Sequence, residues 1–398
     1  MQNDRPTIRL KPKSDPRRIR RGFPWVYDNE IVTDRRTKAI APGTVATLED
    51  AERRAVATVT VNPVSKIFAR LLDRDAQASI DRDWIIDRVT RAADLRKAIY
   101  HAPFYRLIHA EADGLPGVIV DRFGDVAVLQ PNSAWAEAHL NELMEAVAIA
   151  TGSRIAFKNA SGRSRTLEGL DDVSVRLISG DDAPIPVPMN GATYFADLVG
   201  GQKTGLFFDQ RDNHAFVASL ARQTRVLDVF SHVGGFALAA LANGAADALA
   251  VDGSEPALAL ARQGAEATGV AHRFDTRTGD AFDTMSALAA EGRTFGTVIC
   301  DPPAFAPHKG ALDAGLRAYE KVGRLGASLV APGGTLTLCS CSHAADLDRF
   351  RAASIRGIGR AGRSSQILRT GFAGPDHPQH PQLAESGYLK AITFRLMP

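Results

Sequence analysis

The chain has 398 residues, 45% of them hydrophobic and 23% charged, with a formal net charge of +3. That length asks for two or three domains, and the composition is that of an ordinary globular protein. No apolar run reaches the roughly 18 residues of a membrane span, and three cysteines confined to residues 300–341 exclude a disulfide framework and lack any zinc-ligand spacing. The basic start, residues 1–21, has no apolar signal core. A reduced, cytoplasmic protein is expected.

The first segment, residues 1–75, carries short β-like runs at 8–10, 45–48 and 55–61, broken by Pro-Gly and charged pairs. Residues 1–70 hold fifteen Lys/Arg, including Arg17, Arg18, Arg20 and Arg21, against eight Asp/Glu. That excess is an electrostatic footprint for phosphate, and equally the mark of a solvated basic face. Arg21-Gly22-Phe23-Pro24-Trp25-Val26-Tyr27 sets aromatic rings beside it. Cations and rings together suit phosphates and stacked bases, so Arg21 and Trp25 are candidate RNA contacts. The same rings would also fill a small core.

Residues 76–185 read as an α+β unit. A helical stretch at 80–100 precedes two apolar runs flanking Gly124-Asp125, which spell a hairpin. A helix at 134–150 and strand-like pieces at 155–157 and 173–177 follow. Pro184-Ile185-Pro186-Val187-Pro188 reads as a linker or an edge segment.

From about residue 186 strands alternate with Ala-rich helices, the pattern of a parallel sheet wrapped by helices. Strands are expected at 226–230, 248–251, 298–300, 335–339 and 389–394, with helices at 236–242, 255–268, 312–330 and 344–355. The loop at 201–211, with Lys203, Gln210 and Arg211, fits a cover over cofactor or substrate, or a plain surface connection.

The first of these strands runs through Asp228 into Phe230, Ser231, Gly234, Gly235 and Phe236, a turn whose glycines and helix start admit a ligand closely. Asp252 with Ser254 ends the next strand, placed for a ribose diol, and Asp280 with Ala281 follows, placed for an adenine. The full GxGxxG signature of dinucleotide sites is absent. An acid at 228 fits a pyrophosphate poorly and suits the cationic amino-acid end of S-adenosylmethionine. That methyl donor is therefore preferred to NAD. No metal is expected.

Asp301-Pro302-Pro303-Ala304-Phe305 ends a third strand. Two prolines remove two donors and stiffen the loop, leaving carbonyls free to accept from a base edge while Phe305 could stack on it. Asp301 and Pro302 also border the cofactor site, and Pro303 and Phe305 the substrate. Asp-Pro-Pro alone would equally serve methylation of an exocyclic amine. Cys341 decides between them. It lies beyond a strand between Ser340 and Ser342, whereas Cys300 and Cys339 lie within apolar strands. Carbon 5 of a pyrimidine attacks a sulfonium methyl only after a thiolate has added to carbon 6. Asp301 would handle the proton at ring nitrogen 3.

Several motifs in order resemble the bacterial large-subunit (23S) rRNA cytosine-5 methyltransferases that carry an N-terminal PUA domain. They are Phe23-Pro24-Trp25-Val26, Asp113-Gly114-Leu115-Pro116-Gly117, Val120-Asp121-Arg122-Phe123-Gly124, Lys203-Thr204-Gly205, Asp209-Gln210-Arg211, Phe230-Ser231 with Gly234-Gly235-Phe236, Asp301-Pro302-Pro303 with Phe305, Ser340-Cys341-Ser342, Asp376-His377-Pro378 and Tyr388-Leu389-Lys390. The resemblance implies a PUA-like RNA-binding domain (1–75), a central α+β domain (76–185) and a Rossmann-like class I methyltransferase domain (186–398). It implies S-adenosylmethionine as cofactor, 23S rRNA as partner, Cys341 as nucleophile and no membrane association, and it is compatible with a homodimer. Ala304, His232-Val233 and the stretch 158–165 depart from the family pattern and leave the target nucleotide open. A non-covalent RNA amine methyltransferase and a non-catalytic RNA-binding assembly factor are the rival readings.

Overall fold

A computed structural model describes residues 5–177, 183–199 and 205–397. Two compact units emerge, one built on Met1–Asp182 with Pro375–Ser386, the other on Ala183–Gly374 with Gly387–Pro398. Among the described residues no helix is long and apolar enough to cross a membrane.

Among the described residues the first unit holds two five-stranded sheets. One runs in the order Thr7–Arg9, Thr44–Glu49, Ala55–Val61, Ile67–Asp73, Trp25–Tyr27. Its core of Ile8, Leu48, Val59, Val61 and Phe68 comes from the alternating residues of those strands. The other orders Val175–Arg176, Arg154–Lys158, Val126–Pro131, Val118–Phe123, Phe104–His109. Its core is shared with helices Arg82–Ile99 and Leu140–Thr151 through Ile85, Val89, Leu143 and Val147. Asp81 starts the first of these helices by accepting from the Trp84 amide at 3.0 Å. The single helix expected at 134–150 is instead two, Ala134–Ala138 and Leu140–Thr151. Non-helical His139 divides them, its Nδ1 paired with the Trp135 carbonyl at 2.9 Å.

The second unit opens with the ribbon Ile185–Met189 and Ala192–Ala196. Asn190 and Gly191 turn it with φ of 54° and 82°, the conformation a two-residue hairpin loop needs. Pro186 and Pro188 are tolerated because, among the described residues, this strand has a partner on one side only. The main sheet comprises β1 (Arg225–Val229), β2 (Asp247–Asp252), β3 (Phe274–Thr278), β4 (Phe295–Cys300), β5 (Val330–Ser340), β6 (Ser365–Gly371) and β7 (Lys390–Leu396). Its order is β3-β2-β1-β4-β5-β7-β6, with the first five parallel and β7 antiparallel to both neighbours. Around it run α1 (Arg211–Leu220), α2 (Gly235–Ala242), α3 (Glu255–Ala267), α4 (Ala281–Ala290), α5 (Leu312–Leu329) and α6 (Leu347–Arg360).

The strand order reverses between β1 and β4. In such sheets ligands bind outside the carboxyl ends of the strands at that switch point. The segment after each of β1, β2, β4 and β5 therefore determines the chemistry.

Candidate active site

The turn after β1 is tightly wound. Phe230, His232 and Gly234 all have left-handed φ, at 62°, 50° and 79°. For the two non-glycines this is a costly conformation that the surroundings must hold, and such residues cluster at ligand sites. Asp252 at the end of β2 does the holding. Its Oδ2 accepts from the His232 amide and its Oδ1 from the Ser254 amide, both at 2.8 Å. Ser254 in turn caps α3 by accepting from the Ala257 amide at 3.3 Å. Gly235 is required by space, because a Cβ there would lie 2.7 Å from the His214 ring.

Asp228 is wholly buried within β1. Its Oδ2 accepts from the Ala237 amide of α2 at 3.0 Å, while among the described residues its Oδ1 has no hydrogen bond of normal length, only the Phe236 amide near enough to favour the charge. Burial raises its carboxyl to about 7, with repulsion from Asp301 and Asp252 adding to the effect. Nearby the Ser231 hydroxyl is likewise buried, with no partner among the described residues. Orphaned acceptors amid clustered carboxylates are what a cationic polar ligand would satisfy. S-adenosylmethionine, with its ammonium and sulfonium, fits that set. Asp280 caps α4 through Oδ1, accepting from the Phe282 and Asp283 amides at 2.9 and 3.0 Å, and Ala281 is buried beneath it. Phe230, Phe282 and Phe305 group their rings at 6.2–6.4 Å.

The loops after β4 and β5 make the other half. Asp301 donates its amide to the Val229 carbonyl at 3.2 Å and accepts at Oδ2 from the Gln210 side chain at 2.8 Å. Asn213 in α1 fixes Gln210 in turn, donating to its Oε1 at 2.7 Å. Gln210 is thus buried against Asp301 at the start of α1, where the sequence suggested a loop over cofactor or substrate, or a plain surface connection. Arg211 places its guanidinium 5.4 Å from the Phe208 ring. Asp209 accepts from the Tyr388 hydroxyl at 2.5 Å.

Ser340 and Ser342 are completely buried, and both bond to the Tyr319 hydroxyl of α5, at 2.9 and 2.7 Å. The Ser342 oxygen also accepts from the Ala306 amide at 2.9 Å, tying the Cys341 loop to the one that begins Asp301-Pro302-Pro303. With its two neighbours anchored inward, Cys341 is left partly exposed, whereas Cys300 and Cys339 are buried. Burial pushes both of those thiols up, which keeps them protonated and inert. Pro302 is buried and Pro303 exposed. The Phe305 ring packs 5.0 Å from Tyr319.

Asp228, Phe230, Ser231, Gly234, Gly235, Phe236, Asp252, Ser254, Asp280, Ala281, Gln210, Arg211, Asp301, Pro302, Pro303, Phe305 and Cys341 all belong to the second unit. Arg21 and Trp25 belong to the first, where the Trp25 indole donates to Glu111 at 2.9 Å and the Arg21 carbonyl accepts from Gln382. Lys203 lies outside the described residues. Sequence reasoning passed over Tyr319, Asn213 and Ser342 as parts of the site. Only the serines flanking Cys341 offered a signal, and their shared partner Tyr319 sits on α5, distant in the chain.

A model of S-adenosylmethionine-dependent methyltransferases matches residues 140–395, nearly two thirds of the chain. The chain belongs to that family. A model of PUA-like domains matches residues 8–74. Ribosomal RNA large subunit methyltransferase I of Vibrio cholerae is 33% identical over 393 residues, covering 97% of this chain and 98% of its own length. The protein of that name from Pseudoalteromonas translucida is 31% identical over 384 residues, covering 95% and 96%. A solved S. mutans (Streptococcus mutans) structure described as a SAM-dependent methyltransferase superposes with a TM-score of 0.81 at 20% identity, over 98% of this chain and 100% of that one. Another, described as a methyltransferase complexed with SAH, reaches 0.82 at 20% identity over 98% and 99%. At that identity the likeness establishes the shared fold. The chain is an S-adenosylmethionine-dependent methyltransferase with a PUA-like N-terminal domain.

Proposed function

We propose that this protein methylates carbon 5 of a cytosine in large-subunit (23S) rRNA through a transient bond between Cys341 and the base. The observation that carries the reading is the Cys341 loop, whose two buried serines leave the intervening thiol partly exposed beside the Asp301 loop. Relatives named Ribosomal RNA large subunit methyltransferase I along the whole chain support the RNA substrate. We read residues 1–75 as the RNA-gripping module, residues 76–185 as a central domain and residues 186–398 as the methyltransferase. Arg21, Trp25, Lys203, Gln210, Arg211, Pro303 and Phe305 are then the substrate-facing candidates.

The cofactor supplies an electrophilic methyl group on sulfur. Asp228 and Asp252 bind and orient it from the ends of β1 and β2. The Cys341 thiolate adds to carbon 6 of cytosine, and the ring electrons shift to make carbon 5 nucleophilic. Asp301 in its protonated form, held by Gln210, gives its proton to nitrogen 3 as charge develops there and takes it back when the adduct collapses. Carbon 5 takes the methyl group. A base then removes the proton from carbon 5, the double bond re-forms, and the thiolate leaves.

RNA bearing 5-fluorocytosine tests this, because fluorine blocks the last proton removal and traps the adduct. Expected is a denaturation-resistant protein–RNA complex with wild type that Cys341→Ser does not form. Full methylation by Cys341→Ser would sink the reading and favour transfer to an exocyclic amine. Mass spectrometry of rRNA from a deletion strain would map the nucleotide.

A further inference from the structure

Lys390 is a buried cation that the reading above leaves unused. It opens β7 opposite Ser340 in the antiparallel register with β5 and is 5% exposed. Its Nζ donates to the carbonyl of Ser342 at 2.7 Å and to that of Ala345 at 2.8 Å. Both acceptors lie on the loop that carries Cys341, one and four residues beyond it. An ammonium has three donors and these bonds use two. Among the described residues no carboxylate comes within ion-pair distance of Nζ. A buried charge without a counter-charge is expensive, and removing its partners costs more than a neutral filling would. Two carbonyls alone would serve a neutral donor equally well, so the charge calls for its own explanation.

We infer that Lys390 is a positioning residue for Cys341: it fixes the cysteine loop through two carbonyls and supplies the positive charge against which the thiolate forms. This rests on the reading of Cys341 as the nucleophile. Burial lowers the Lys390 ammonium from its ordinary value, while Cys341 and Asp346 act electrostatically to raise it. Asp346 caps α6 and spends Oδ1 on the Arg349 amide at 2.8 Å. Tyr319 meets the same loop from α5 through Ser340 and Ser342, and its hydroxyl, raised chiefly by burial, stays protonated beside the thiol. His343 and Tyr388, with rings 5.8 Å apart, flank the loop and the strand respectively. Of these groups only Lys390 brings a permanent positive charge. A thiolate formed at Cys341 would give it a counter-ion closer than Asp346, which lies beyond ion-pair distance, and would itself be favoured.

The test is the pH dependence of iodoacetamide alkylation at Cys341 in the full-length protein without RNA, resolved by peptide mass spectrometry so that Cys300 and Cys339 do not contribute. Wild type should titrate clearly below the ordinary thiol value of about 8.5. Lys390→Gln keeps a donor for the loop carbonyls and removes the charge. It should move the alkylation profile up by about one pH unit and lower kcat about tenfold, with KM for the cofactor unchanged. Lys390→Arg should recover most of both. A Lys390→Gln profile superimposed on wild type would overturn the inference and leave Lys390 a loop fastener. So would a wild-type thiol titrating at about 8.5 or higher, a measurement that stands even where the variants fail to fold. Full methylation by Cys341→Ser would instead sink the nucleophile reading, while the alkylation profile still reports on the lysine–thiol pair.

Discussion

The two halves of the site are built on opposite principles. After β1 and β2 the protein buries polar groups it does not satisfy: among the described residues Asp228 Oδ1 and the Ser231 hydroxyl lack normal hydrogen bonds, and Asp252 and Asp301 oppose a charge on Asp228. After β4 and β5 the polar groups are matched almost one to one, Ser340 and Ser342 to Tyr319, Asp301 to Gln210, and Gln210 to Asn213. The first half stores unmet demand that a cationic ligand relieves. The second has rigid walls that leave the Cys341 side chain partly exposed. Binding sites tolerate frustration that a ligand repays, whereas covalent chemistry needs the reacting atom fixed before substrate arrives.

That contrast can be broken at either half. On the proposed mechanism the largest effect is expected at Cys341: Cys341→Ser should lower methyl transfer by at least about 1,000-fold while leaving cofactor affinity within a few-fold. Isothermal titration alongside radiolabelled methyl transfer checks both numbers.

Asp228→Asn probes the frustrated half and should act in two directions. Cofactor affinity should fall about 10- to 100-fold as a charge-assisted partner is lost. The cofactor-free protein should gain stability, with a definite pH signature. The folded carboxyl sits at about 7, above its ordinary unfolded value near 3.8, so the fold favours the proton. The ionisation penalty is therefore absent at low pH, builds as pH rises through that window and is complete above it. Thermal melts should show Asp228→Asn more stable than wild type by about 2–4 kcal/mol at pH 8, shrinking towards pH 5. Equal gains at both pH values would refute the account of a buried, ionisable frustration.

Tyr319→Phe removes the hydroxyl shared by the two buried serines and should cost about 1–3 kcal/mol of stability. It should also lower kcat several-fold with cofactor binding intact, since only the cysteine half is loosened. The smallest effect is expected for Asp280→Ala. Its carboxylate caps α4 from an exposed position, and the loss should be about 1 kcal/mol in denaturant melts. A much larger loss of cofactor affinity than of stability would show that Asp280 contacts the ligand as well as the helix.

Legibility differed between elements for physical reasons. The central strands β1, β4 and β5 are buried on both faces, so their apolar runs stand out from sequence. The edge strand β6, Ser365–Gly371, was invisible because Ile367 and Leu368 are exposed beside polar neighbours and no alternation survives. The polar β3, Phe274–Thr278, gave only its position after Asp252. Helix α1 carries little signal in the sequence because its buried face includes Arg211, Asn213 and His214, which mimic a surface pattern. His214 is held neutral by burial that lowers it to about 3, so its ring packs as a hydrophobe against Phe236. Pro375–Ser386 joins the first unit although it follows β6 in the chain. Asp376 is the reason, buried with its carboxylate accepting from the Arg106 amide at 3.0 Å and its carbonyl from Arg96 at 2.8 Å.

What the sequence determined by itself was local: strands by their apolar runs, the tight turn by its glycines, and the order of acids along successive strand ends. Those features depend on neighbours within a few residues, and backbone sterics and hydrophobic burial make them readable. Only the tertiary structure decided which polar groups are satisfied. That Asp228 is left wanting, that Tyr319 fastens both serines, that Gln210 braces Asp301 and that Lys390 stands behind Cys341 are facts about partners from distant parts of the chain. A buried group's charge and reactivity follow from those partners, because at low dielectric each hydrogen bond or its absence shifts the balance by kilocalories.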